Sequence, residues 1–224
     1  MSQALKPPTY ATLAEVALLP ALLFMILGWP FAQGSELSEQ FFEAVFLTII
    51  LSAAVASSSQ RFRLIPVLAF GIGALVLDTI SQDRNPILEC IVIWCDLLFA
   101  VSLSGVLLLR VFDETGTVTW RVVLNALSVY LLIGLAFGAV YNLLGMAGEV
   151  YEAGFGFSQN DPDLRGFATT YFSFVTLTTL GYGDITPDNA RIASAAVVQA
   201  LIGQFYLAVV VARLVSLFAK KTGN

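Results

Sequence analysis

Six stretches of about 20 mostly apolar residues dominate this chain, and a helix needs a run of about that length to cross the hydrocarbon of a bilayer. Their limits read as 10–31, 40–58, 64–80, 87–110, 119–144 and 190–219. The separators are polar or turn-forming, at 30–38, 57–63, 81–86 and 113–117, with a long stretch at 145–163. Composition agrees: 58% of the 224 residues are apolar and 12% charged, too little polar surface to cover one aqueous fold of this size. The sequence therefore predicts an all-α integral membrane protein with six transmembrane helices, and a lipid bilayer as its surroundings. The first span runs into further apolar spans rather than a cleavage site, which argues against a removed signal peptide.

The net charge is −5 and the 11 Lys and Arg are scattered, so nucleic acid is not an expected partner. Histidine is absent, which removes His-based general-base catalysis and most zinc and haem sites. No enzymatic activity and no organic cofactor are expected. Cys90 and Cys95 stand five apart in an apolar helix, too distant for a bridge. If all six spans alternate, Lys6, Arg61, Arg63, Arg110, Arg121, Arg213, Lys220 and Lys221 fall on one side. Arg84, Arg165 and Arg191 fall on the other, and this bias predicts a multi-pass cell-membrane protein with both termini cytoplasmic. Glu36, Glu39, Glu149, Glu152, Asp161, Asp163, Asp184 and Asp188 then face outward, a field that attracts cations.

Between the fifth and sixth spans the sequence turns apolar again at 164–180, too short and too rich in threonine for a comfortable crossing. It reads as a re-entrant hairpin. Asp161 as N-cap, Pro162 at the first helical position and Asp163 beside it predict a short helix that begins within 162–166 and stops near Thr178. The run Thr179-Leu180-Gly181-Tyr182-Gly183-Asp184, followed by Ile185-Thr186-Pro187, is not helical, because two glycines bracket a tyrosine and a proline closes the turn. Irregular backbone at membrane depth is tolerated where it is buried in protein or lines an aqueous path, and its free carbonyls suit a dehydrating cation. Glycine permits the left-handed φ values that turn successive carbonyls the same way, and Thr179 adds a hydroxyl.

The residues Thr176-Leu177-Thr178-Thr179-Leu180-Gly181-Tyr182-Gly183-Asp184 resemble the selectivity-filter signature of the potassium channel family, with Leu180 where many members carry Val. The resemblance runs from Thr119 to about Lys220. It implies a re-entrant pore helix and selectivity filter between helices five and six, in a pore domain at 113–224 preceded by a four-helix unit at 1–112. It also implies that the carbonyls of Thr179, Leu180, Gly181 and Tyr182, with the Thr179 hydroxyl, hold stacked K+ ions, Gly183 completing the ion-binding run. One loop cannot surround an ion, so a homotetramer is implied. Val175 stands where some members carry a Glu that braces the filter aspartate, which leaves Tyr171 or Thr170 to hold Asp184, with Thr178 also supporting the filter. Tyr182 and Gly183 are both present, and in the family this favours potassium over sodium. Gly203, 20 residues after Gly183, matches the inner-helix gating hinge, although close helix packing is an equal role for a lone glycine. Helical spacing from there turns Gln204, Leu207, Val211 and Val215 toward a cavity, where Leu207 and Val211 are candidates for a hydrophobic gate.

A voltage sensor carries Arg or Lys at every third position of its fourth helix, and 87–109 contains neither. The channel implied by the resemblance is therefore not conventionally voltage-gated. Asp96 sits mid-span and is a candidate sensor of protons or cations, against the plainer reading that it is protonated or bonded to Ser102 or another hydroxyl. The short link at 113–117 predicts that each four-helix unit packs beside its own pore. After Arg213 the chain ends within 11 residues, and no cytoplasmic ligand-binding domain is expected on it. Two other readings stand beside the channel: a potassium uptake transporter subunit, whose families usually carry four degenerate loops in one chain, and a non-conducting regulatory channel subunit.

Overall fold

The computed structural model describes residues 10–28, 36–57, 61–80, 86–113, 119–146, 163–187 and 189–222. These form seven α-helices and no strand: α1 (Tyr10–Gly28), α2 (Glu36–Ser57), α3 (Arg61–Ile80), α4 (Pro86–Asp113), α5 (Trp120–Met146), α6 (Asp163–Leu177) and α7 (Ala190–Thr222). Several expected limits shift outward. α2 takes in Glu36 and α3 begins at Arg61, inside an expected turn, while α4 continues to Asp113. Polar residues do not end a helix whose backbone bonds continue, so the apolar run underestimates its length. Asp161, Pro162, Glu149, Glu152 and the link at 114–118 lie outside the described residues.

Among the described residues, three helices are long and apolar enough to cross a membrane, over Pro86–Asp113, Trp120–Gly145 and Ala190–Ser216. The described apolar stretches of the other three expected spans are shorter, at Val16–Gly28, Ala44–Ala54 and Leu64–Ile80.

α1 to α4 gather around one core shared with α5, in which Leu18, Leu22, Ile49, Val67, Leu103, Leu107 and Leu132 are all fully buried. The Phe46 and Phe99 rings meet in it at 5.4 Å between centroids. Lipid tails are as apolar as leucine, so such a core is held by shape and dispersion rather than by exclusion of water. α1 and α4 thus pack on the α5 of their own chain. A second cluster of Tyr141, Ala168, Phe172, Ile185 and Ile192 joins α5, α6 and α7. At the other end of α5, Val111, Val122, Ala126 and Val210 join α4, α5 and α7. Arg213 there donates to the Phe112 carbonyl at 3.0 Å, tying α7 to the last turn of α4. α7 is the least covered of the three long helices, with 17% of its apolar window buried against 50% for α5.

Candidate functional site

α6 is seated on α5 by the absence of side chains. A Cβ on Gly134 would stand 2.5 Å from the Phe174 ring, and one on Gly138 would meet the Thr170 hydroxyl at 3.3 Å. Small residues bring the two helices close enough for Ser173 to donate to the Gly134 carbonyl at 2.6 Å. From α7, the Gln199 amide donates to the Ser173 carbonyl at 2.9 Å and to its hydroxyl at 2.7 Å. Tyr141 of α5 donates to the Gln199 amide oxygen at 2.6 Å. Gln199, Ser173 and Tyr141 are fully buried, and their mutual bonds meet the cost that burying polar atoms unpaired would carry.

α6 ends in a closure of unusual composition. Leu180 N–H reaches back to the Val175 carbonyl and Thr179 N–H to that of Thr176, both at 3.0 Å, the paired bonds of a Schellman cap. The residue that must be left-handed in this cap is normally glycine, but here it is Thr179 at φ 57°. A β-branched residue held there costs of order 1–3 kcal/mol, and such strain collects at functional sites. Thr178 N–H and hydroxyl both donate to the Phe174 carbonyl, and Tyr130 of α5 donates to that of Leu177 at 3.2 Å. The last carbonyls of the helix are thereby satisfied.

Beyond this closure the sign of φ alternates. Thr179, Gly181 and Gly183 are positive, at 57°, 57° and 78°, and the intervening Leu180 and Tyr182 are not. Among the described residues no hydrogen bond ends on the carbonyls of Thr179, Leu180, Gly181 or Tyr182. The segment is open on one side, with Leu180 54% and Tyr182 67% exposed.

Asp184 pins the far end of the segment. Tyr171 donates to one carboxylate oxygen at 2.6 Å and Ile185 N–H to the other at 3.0 Å. The tyrosine bond holds the Asp184 carboxyl below its usual range, and the same bond pushes the Tyr171 hydroxyl up to about 12. Ile185 is buried in the second cluster, which anchors the turn. Val175 is buried and apolar. Of the two candidates to hold Asp184, Tyr171 reaches it, whereas Thr170 lines a cavity that also contains Asp96.

Gly203 is buried against the end of α6, where a Cβ would lie 2.9 Å from the Leu177 carbonyl. α7 passes through it as unbroken helix. Gln204, Leu207, Val211 and Val215 are exposed, on the parts of α7 that α5 and α6 leave uncovered. Asp96 is remote from this segment by chain and element, and Ser102 bonds its own helix at the Phe99 carbonyl. Sequence reasoning missed Gly134, Tyr130, Tyr141, Ser173 and Gln199. Polar residues within apolar spans were the signal available for Gln199 and Tyr141.

Residues 126–220 match a protein-family model described as an ion channel, and over this segment the chain resembles the potassium channel family. The match opens in α5, takes in α6 and the segment after it, and closes in α7. A comparison with curated proteins finds none that matches.

Proposed function

We propose that four copies of this chain surround one pathway and form a potassium-selective channel whose filter is the backbone of Thr179 to Gly183. The observation that carries this reading is the alternation of φ at Thr179, Gly181 and Gly183 beside carbonyls that accept no hydrogen bond among the described residues. In an extended chain of uniform handedness successive carbonyls face opposite sides. Reversing the handedness at every second residue turns them to one side, and four such rows make stacked rings of oxygens at which K+ exchanges its water.

Each part of the site has a task in this mechanism. The carbonyls of Thr179, Leu180, Gly181 and Tyr182 and the Thr179 hydroxyl take the ion. Gly183 supplies the last left-handed turn, and Asp184, held by Tyr171, fixes the outer end. Thr178 closes the support helix. α6 acts as a re-entrant pore helix whose carboxyl end favours a cation below the filter. The exposed face of α7 with Gln204, Leu207 and Val211 lines the path beyond, or meets the neighbouring copies. Gly203 seats α7 on Leu177, so a hinge there has to break that contact. Potassium is the cargo, moved down its gradient with no bond made or broken.

In the same reading 113–224 is the pore domain and 1–112 a four-helix unit beside it. α1, α2 and α3 have 19, 22 and 20 residues, about 28–33 Å of helix, against about 30 Å of hydrocarbon. Six crossings follow, with both termini cytoplasmic in the cell membrane. α4 carries no basic residue before Arg110 near its end, so its movement in a field does not gate the channel.

The test is flux from liposomes containing the purified protein, potassium against sodium, with the mass of the complex measured in parallel. Expected are barium-sensitive potassium flux in excess of sodium, its loss in Tyr182→Ala, and a mass of four chains. A single-chain mass, or equal flux of the two ions, overturns the proposal.

A further inference from the structure

A cavity of about 160 Å³ lies where α1, α2, α4, α5 and α6 meet. Its walls are mostly apolar, with the Phe46 and Phe99 pair on one side and Leu132 on another. Three polar side chains open into it from three helices: Asp96 of α4, Asn142 of α5 and Thr170 of α6. None of the three has a hydrogen bond or ion pair among the described residues. Each of the three is half-buried, so the partners that its own chain does not supply have to come from water or from an occupant of the cavity. Asp78 of α3 is a second carboxyl group within electrostatic reach of Asp96. The chamber therefore offers a carboxyl group that a bound cation would hold ionised, two further oxygen acceptors, and an apolar wall.

We infer that this cavity is a binding site for a small protonated amine on a compact apolar body. The ammonium meets the Asp96 carboxylate and donates to the Asn142 and Thr170 oxygens, and the apolar body lies against Phe46, Phe99 and Leu132. Size fits such an occupant, since an apolar cavity of about 150 Å³ holds benzene. Depth selects a free molecule over a lipid headgroup. Asp96 is the eleventh residue of α4, about 15 Å along the helix and so near the middle of about 30 Å of hydrocarbon. The wall is too apolar for a hydrated metal ion, which needs oxygens on most sides. Thr170 precedes Tyr171, the residue that holds Asp184, so the occupant rests against the helix that supports the proposed filter. Binding itself does not depend on conduction.

The experiment titrates benzylamine into the purified full-length protein in detergent and follows saturation transfer to the ligand by NMR, with benzyl alcohol as the neutral analogue. Saturable benzylamine binding is expected, at least tenfold weaker in Asp96→Asn and lost in Leu132→Trp, which fills the chamber. Circular dichroism checks that each variant keeps its helix content. If Leu132→Trp does not fold, the Asp96→Asn comparison decides alone. Absence of saturable binding, equal binding by Asp96→Asn, or equal affinity for benzyl alcohol overturns the assignment.

Discussion

α4 and α6 both pack on α5, yet they treat their polar atoms in opposite ways. α6 is laced to its neighbours: Ser173 to Gly134 and Gln199, the Leu177 carbonyl to Tyr130, Tyr171 to Asp184. α4 is tied more sparsely: Arg213 reaches its last turn, but Ser102 bonds its own helix, Ser104 keeps a buried hydroxyl with no partner among the described residues, and Asp96 opens into a cavity. In a bilayer, apolar contact fixes distance but says little about rotation, whereas a hydrogen bond between helices fixes both. α6 is thereby set in depth and rotation, as a helix that positions a row of carbonyls has to be. α4 has the Arg213 bond to the Phe112 carbonyl at its last turn, and its apolar length is placed mainly by shape.

The sharpest way to break this contrast is Gln199→Leu. It leaves the buried Tyr141 hydroxyl without its acceptor and removes both bonds to Ser173, which keeps only its bond to Gly134, at a cost of about 2–5 kcal/mol, and thermal unfolding in detergent should show a lower midpoint. Gly203→Ala is next. Its new methyl has to displace a backbone oxygen at 2.9 Å, so a loss of about 1–3 kcal/mol is expected despite the better helix propensity of alanine. Reduced potassium flux should accompany it. A midpoint equal to or above that of the parent would show that α7 is not fixed there.

Tyr171→Phe has a smaller effect on folding and reads out through pH. Because the tyrosine bond lowers the Asp184 pKa, its contribution is complete above the ordinary carboxylate value, about 3.9, and is lost as pH falls through the lowered one. Removing the bond shifts that acid loss to higher pH. On the alkaline side Tyr171 keeps its proton past about 10, where an ordinary tyrosine ionises, and releases Asp184 only near 12. Potassium flux against pH for parent and variant checks both limbs, and superimposed profiles would exclude the bond as a support. Ser104→Ala in α4 should do least: removing a buried hydroxyl with no partner among the described residues costs less than about 0.5 kcal/mol, so the unfolding midpoint stays at the parent's or rises.

How much the sequence revealed differs between the same regions. The short helix and the irregular run after it were legible because their signals are local: a threonine-rich apolar stretch, two glycines around Tyr182, and Pro187. Long-range contacts were not. α7 is apolar nearly all round, so periodicity does not distinguish the face with Gln199 and Gly203 from the face with Gln204 and Leu207. Thr179 was legible as a hydroxyl but not as a left-handed residue, since propensity alone assigns that conformation to glycine. Thr170 and Tyr171 are neighbours in sequence with equal claims on Asp184. Helix rotation separates them, sending one to the carboxylate and the other to a chamber built by five helices.

Gly134 has the Phe174 ring where its own side chain would be. The two positions therefore share one volume and are not free to vary separately. A lineage descended from this sequence can enlarge residue 134 only in company with a smaller residue 174, so the pair should drift as a unit. Forty positions apart in the chain, they are inherited as one trait.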